Sequence, residues 1–208
     1  YLNGILFVAE GKQLSLVATD GHRLAFASAT LDVEVPKQEV ILPRKTVLEL
    51  GKLLAEADES LTLDVLANQV RFRFANIELV SKVVDGKFPD YERVLPKGGD
   101  KLVVADRQTL REAFTRTAIL SNEKYRGIRL QLESGLLKIQ ANNPEQEEAE
   151  EEVAVDYAGG NLEIGFNVSY LLDVMSVMVT DKVRLILSDS NSSALVQEFD
   201  NDESAYVV

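Results

Sequence analysis

GILFVAEGKQLSLVATD, residues 4–20, and GIRLQLESGLLKIQANN, residues 127–143, are the two stretches that decide how this chain is built. Set side by side without gaps at a separation of 123 residues, they share Gly4/Gly127, Ile5/Ile128, Glu10/Glu133, Leu14/Leu137 and Ala18/Ala141. In each, an apolar strand pattern runs into a short turn, Glu-Gly or Glu-Ser-Gly, and resumes beyond it, which predicts a β-hairpin. The correspondence continues downstream. VILPRKTVLEL (40–50) matches IGFNVSYLLDV (164–174) at a separation of 124, and both pass from a strand through a cap into an apolar-periodic helix. Asn167 is a natural N-cap there, and Pro43 suits a helix start. LTLDVLANQVRFRF from Leu61 and VRLILSDSNSSALV from Val183 then predict one more hairpin each. Three matches in one order at nearly constant separation signify duplication of a domain-sized unit.

The second copy carries more than the first. A strand, LVVA from Leu102, and a helix over about Asp106 to Leu120 precede Gly127, and a second helix is expected from Asn167 to Val179. The first copy starts at Tyr1 with no matching helix, so the expectation is a piece of a longer protein, cut inside a domain. GKFPDYERVLPKGGD, residues 86–100, holds two of the five prolines and three of the twelve glycines and reads as the boundary between copies. The domains are therefore set at 1–91 and 92–208. Antiparallel hairpins with a helix every fifty or so residues make the fold class α+β, with helices on one face of the sheets.

Composition narrows the function. Of 208 residues, 46% are hydrophobic and 27% charged, an ordinary globular balance. Lys and Arg number 22 against 34 Asp and Glu, giving a net charge of −12. Residues 1–92 carry 10 against 14 and residues 93–208 carry 12 against 20, or −4 and −8, so neither half coats nucleic acid by bulk charge. With no Cys and a single His, His22, no disulfide frame and no Cys- or His-based metal site is expected, and no cofactor is implied. No apolar run reaches the roughly 18 residues of a membrane helix. A cytoplasmic, soluble protein is expected.

Three features bear on chemistry. ATDGHRL, residues 18–24, reads either as an ordinary Asp-Gly turn or as a turn presenting His22, Arg23 and Leu24 to a partner. Residues 145–152 hold six carboxylates in eight positions, a solvated edge or an electrostatic surface for a basic partner. Basic residues gather at Arg44, Lys45 and Lys52, at Arg107, Arg111 and Arg116, and at Lys124, Arg126 and Arg129. They read as the wet faces of amphipathic helices or as loose phosphate contacts. No phosphate-binding glycine loop and no nucleophile elbow is present.

ATDGHRLA, SKVVDGKFPDYERVLP, LSNEKYRG, ANNPEQEEAEEE and IGFNVSYLLDV together resemble the bacterial DNA polymerase III β subunit, the sliding clamp, over the whole chain. The resemblance implies tandem copies of the DNA-clamp domain, here most of the second and nearly all of the third. It also implies a non-catalytic processivity factor. In the family three such domains form a protomer and two protomers a ring around double-stranded DNA, without sequence readout. Arg44 and Lys45 match positions on the inner, DNA-facing surface. The family's groove for linear peptides of polymerases and the clamp loader maps onto Leu2, Thr19, Gly21, His22, Arg23, Leu24, Pro89, Arg93, Val94, Tyr125, Asn167, Tyr170, Asn191, Ser193, Val207 and Val208. Ring closure maps onto Ile119 and Leu120, rimmed by Glu145, Glu147, Glu148 and Glu150. The homodimer belongs to the full-length protein, and this piece alone is expected to be a monomer. The competing readings are a carboxylate-based hydrolase or metal enzyme using Glu145–Glu152, and an acidic tandem-domain scaffold.

Overall fold

A computed structural model describes residues 1–208, which fall into two compact units, Tyr1–Tyr91 and Glu92–Val208. The first unit opens with β1 (Gly4–Thr19) and β2 (Leu24–Pro43), followed by α1 (Arg44–Leu54) and three short strands, β3 (Thr62–Val65), β4 (Gln69–Phe74) and β5 (Ile77–Lys82). The short strands pair antiparallel in sequence order. Val70 and Phe72 project from β4 into a core shared with Phe7, Ala9 and Leu42, and Val47 and Leu50 of α1 pack against its margin.

The turn expected at Glu10–Gly11 needs one correction. The extended run does not divide into two strands but continues from Gly4 to Thr19. The register breaks at Gly11 instead: Gly4–Ala9 pair with Gln38–Pro43, Gln13–Thr19 pair with Leu24–Thr30, and Gly11 alone faces Val35. Gly11 takes φ of +61°, a left-handed conformation that glycine adopts without a Cβ penalty. Gly11 keeps Val35 as a ladder partner, so the extended run carries on across the break.

The second unit holds β6 (Lys101–Asp106), α2 (Arg107–Ala118), β7 (Gly127–Glu133), β8 (Leu136–Asn142), β9 (Glu148–Ala154), β10 (Leu162–Asn167), α3 (Val168–Val177), β11 (Lys182–Leu187), β12 (Leu195–Glu198) and β13 (Asn201–Val207). One antiparallel sheet runs β10-β7-β8-β9, and β6, β11, β12 and β13 pair in that order. Here the turn Ser134–Gly135 does separate two strands. Gly135, at φ +74°, exchanges hydrogen bonds with Val155 and Tyr157 of the connection that crosses the hairpin end. Alternation puts Ile128, Leu130 and Leu132 of β7 and Leu137, Ile139 and Ala141 of β8 inward.

Leu110, Ala113, Phe114, Thr117 and Ala118, spaced three and four apart, turn one face of α2 onto that core. Val168, Leu171, Val174 and Met175 do the same for α3, and the two helices pack on each other. Both helices are shorter than the apolar pattern suggests. Asp106 is the N-cap of α2, its carboxylate accepting from Thr109 N, and Ile119 and Leu120 lie beyond the helix end. Met178 turns extended, with ψ 148°, where the Arg107 guanidinium takes the carbonyls of Met175 and Thr180. Those contacts satisfy groups that helix continuation would otherwise serve.

Candidate functional site

Each unit builds its share of the sequence-predicted residues on its own scaffold. In the first, the β1–β2 turn is closed by side chains. Thr19 Oγ1 donates to the Arg23 carbonyl at 2.6 Å and accepts from Gly21 N at 3.1 Å. Asp20 Oδ1 accepts from His22 N and Arg23 N at 2.9 and 3.0 Å, and Asp20 Oδ2 pairs with Arg23 Nε at 3.1 Å. Burial alone would raise the pKa of Asp20, but the two backbone N–H groups and Arg23 outweigh it and hold the carboxyl below its usual range. Gly21 sits at φ +92°, so a side chain there would strain the turn. The result is a rigid turn with His22 exposed at its tip. Leu24, at 4% exposed, faces inward and shapes the turn from beneath. Leu2 and Pro89 are exposed.

Arg44 and Lys45 are both exposed in the first turn of α1. That turn contains no acid, and Pro43 supplies no side-chain cap. The positive end of the helix dipole therefore adds to two cations rather than being offset.

In the second unit the segment 121–126 joins α2 to β7 beside the start of α3. Asn122 Oδ1 accepts from Lys124 N and Tyr125 N, both at 2.9 Å, so the tip is an Asx turn that presents Tyr125 at 67% exposure. Lys124 Nζ lies 5.2 Å from the Tyr125 ring centre. Asn167 caps α3, its Oδ1 accepting from Ser169 N at 2.9 Å, which leaves the amide NH2 to donate elsewhere. Tyr170 stands half-buried in the first turn of α3. An open cleft of about 950 Å3 is lined by Asn122, Tyr125, Arg129, Gln140, Glu150 and Glu163 among others.

Arg93, Val94, Asn191 and Ser193 are exposed, with Asn191 N held by Asp189 Oδ1 at 2.8 Å. Val208 exchanges backbone bonds with Ala194, while Val207 is buried at 3% exposure and offers no surface. Ile119 is 75% exposed and Leu120 half-buried just past α2. Glu145, Glu147, Glu148 and Glu150 are exposed, the last two on β9, an edge of the four-stranded sheet.

The acidic run is partnered rather than convergent. Asn143 holds Glu147, Gln140 holds Glu150, and Arg116 forks onto Glu151 at 2.7 and 3.1 Å. The Arg116 hydrogen bond holds the Glu151 carboxyl below its usual range. No group of three or more His, Cys, Asp or Glu side chains is placed to hold a metal ion. Several of the basic residues are likewise occupied internally, Arg129 by Glu163 at 3.1 Å and Arg107 by the carbonyls at the end of α3. The residue that sequence reasoning misplaced is Arg126, read as part of a basic cluster. Its guanidinium is spent on Ala118, Ser121 and Ser169.

Comparison with known proteins gives this geometry a family. The model for the DNA polymerase III beta subunit, central domain, matches residues 1–90, and that for its C-terminal domain matches residues 92–208. The chain is 67% identical over 211 residues to the beta sliding clamp of Pseudomonas aeruginosa and 50% identical over 208 residues to that of Escherichia coli. In both cases all of this chain aligns, with 57% of the relative, so the chain spans a little over half of their length. A crystal structure of the Pseudomonas aeruginosa sliding clamp bound to griselimycin superposes with a TM-score of 0.96 at 66% identity, over 99% of this chain and 56% of that one. Two domain models matched in succession along the chain, with sequence and fold both close to named clamps, make this chain a member of the DNA polymerase III beta subunit family, the sliding clamps.

Proposed function

We propose that the chain is part of a processivity factor that encircles double-stranded DNA and works by binding alone, with no active site. The observation that carries the reading is the unbroken succession of central and C-terminal clamp domains over the chain. A closed ring holds its substrate by topology, so a net charge of −12 is no obstacle. Arg44 and Lys45, at the positive end of α1, attract phosphates without sequence preference, while the acidic remainder repels stray DNA. The whole protein is a cytoplasmic homodimer in this reading. Ile119 and Leu120 form the apolar part of ring closure, and Glu145, Glu147, Glu148 and Glu150 its charged rim.

Polymerases and the clamp loader dock through a short linear peptide, and each unit carries contact residues for it. The turn 19–23 with Leu2, Pro89, Arg93 and Val94 contributes from the first domain and the linker. Tyr125, Asn167, Tyr170, Asn191 and Ser193 contribute from the second. Tyrosines suit an aromatic or leucine anchor, and the amide, hydroxyl and guanidinium groups fix its orientation. Leu24, Val207 and Val208 support these surfaces more than they offer any of their own.

The test is titration of a fluorescein-labelled peptide with Leu and Phe anchors, against a scrambled control. Saturable binding that griselimycin displaces, and that Tyr170→Ala weakens by about tenfold or more, is the expected result. Equal binding of the scrambled peptide would favour an acidic scaffold and overturn the reading.

A further inference from the structure

We infer that Arg126 is the positioning residue of the peptide-docking surface in the second unit, a role that rests on the docking reading above. Its place in the fold is unusual. It adopts φ of +53°, a conformation that costs a non-glycine residue energy and persists only where the surroundings enforce it. Here five hydrogen bonds to this one residue do so. Its backbone N donates to the Asn122 carbonyl at 2.7 Å, closing the loop that carries Tyr125. Its carbonyl accepts from Val168 N at 2.8 Å, satisfying a first-turn N–H of α3 that no helix carbonyl can reach. Its Nε donates to Ser169 Oγ at 3.0 Å, and one Nη donates to the Ala118 carbonyl at 3.1 Å and to Ser121 Oγ at 3.2 Å.

One side chain thus ties the C-terminal end of α2, the loop 121–126 and the N-terminus of α3. Those are the elements that carry Tyr125, Asn167 and Tyr170. Asn122, Tyr125 and Gly127 line the open cleft and Arg126 does not. Its guanidinium points to the interior side of the loop, so it acts through its neighbours. The rigid fork suits this task, since a lysine could not serve three acceptors in fixed directions.

The separation of positioning from folding is testable because glycine accepts φ of +53°. Arg126→Gly keeps the backbone conformation and deletes the fork, and Ser121→Ala with Ser169→Ala deletes its hydroxyl partners while leaving Arg126 in place. Arg111→Ala, on the exposed face of α2 and away from the cleft, controls for loss of charge. With the fluorescein-labelled Leu/Phe peptide, Arg126→Gly is expected to weaken binding by about tenfold, as loss of charge-assisted hydrogen bonds from a preorganised site predicts. Arg111→Ala should stay within about twofold. A second readout needs no peptide. The chain has no Trp, so Tyr125→Trp introduces a single fluorescent reporter of loop order. Its fluorescence anisotropy should fall when Arg126→Gly is added and hold when Arg111→Ala is added.

Wild-type affinity retained in Arg126→Gly, or an unchanged anisotropy of the indole reporter, overturns the assignment. If the wild-type chain binds no peptide, the docking reading fails, and the anisotropy still decides whether Arg126 orders the loop. Should Arg126→Gly lack a thermal transition, the Ser121→Ala/Ser169→Ala pair decides by the same two measurements.

Discussion

The junction from strand to helix occurs once in each unit, and the two versions have been turned to opposite uses. Arg44 N donates to the Asn3 carbonyl at 3.1 Å in the first unit, and Val168 N donates to the Arg126 carbonyl at 2.8 Å in the second. The separations are the same 123 and 124 residues that relate the two copies in sequence, so the duplicated backbone bond survives. The side chains around it do not correspond. Asn167 caps α3 where Pro43 stands, Ser169 receives Arg126 where Lys45 stands, and Arg126 itself replaces Asn3. The second junction is locked, and α3 buries four side chains behind it. The first is open, carries two exposed cations, and its helix buries none. A single scaffold yields a rigid wall or a positive tip according to three or four side chains, because the backbone alone fixes where the helix begins.

The largest way to break this contrast is to attack what α3 leans on. Phe114, 0% exposed on α2, packs in the core that α3 completes. Phe114→Ala should cost about 3–5 kcal/mol in urea unfolding, from lost transfer energy and the cavity left behind. Leu48→Ala on α1, where the side chain is 52% exposed, should cost less than about 0.5 kcal/mol. Similar losses at the two positions would mean that α1 is as firmly embedded as α3.

The next test uses the paired glycines at the starts of β1 and β7. A Cβ on Gly4 would meet the Leu42 carbonyl oxygen, a backbone atom that can only yield by moving β2. Gly4→Ala should therefore cost about 1–3 kcal/mol, in the range of overpacking. Nothing lies within 4 Å of the same atom on Gly127, and Gly127→Ala should be neutral or stabilise by up to about 1 kcal/mol. Thermal unfolding of the two variants reads the difference, and equal shifts would show that the two ladders approach alike.

Much of this was legible in sequence, for definite reasons. Asn167 could be read as a cap because a short acceptor side chain directly precedes an apolar helical period, and the structure uses it so. The hairpin at Ser134–Gly135 was legible because its turn interrupts strict alternation. The end of α3 was not, since Met178 and Val179 prolong the apolar run while the stop comes from Arg107, some seventy residues earlier. Arg126 was opaque for the same reason: its acceptors lie 5, 8 and 43 residues away, and nothing local marks an arginine for a left-handed φ. Leu24 and Val207 show a further limit. An apolar residue at a strand end reads the same whether it is exposed or buried, and both of these are buried.

The cap itself is the third test. Asn167→Ala should cost about 1 kcal/mol by leaving Ser169 N without its acceptor, and it should also raise hydrogen exchange in the first turn of α3. The matching position, Pro43, makes no side-chain cap bond, so Pro43→Ala should leave exchange at the start of α1 unchanged. A cost confined to Pro43→Ala would reverse the assignment of locked and open junctions.

The smallest effect separates a local turn from a link between elements. Asp20 and Glu151 both have depressed pKa values, the first through backbone N–H groups of its own turn that overcome its burial, the second through the Arg116 hydrogen bond from α2 to β9. A carboxylate whose folded value lies below its unfolded one adds stability above the unfolded value and loses it as pH falls through the folded one. Glu151→Gln should therefore destabilise by less than about 1 kcal/mol at neutral pH, since the pair is partly exposed, and the deficit should close on acidification. Asp20→Asn keeps an oxygen for His22 N and Arg23 N and should change stability less. Urea unfolding at neutral and acid pH distinguishes the two. A Glu151→Gln deficit that persists in acid would assign its cost to packing at the sheet edge, leaving the ion pair without a share in holding β9 to α2.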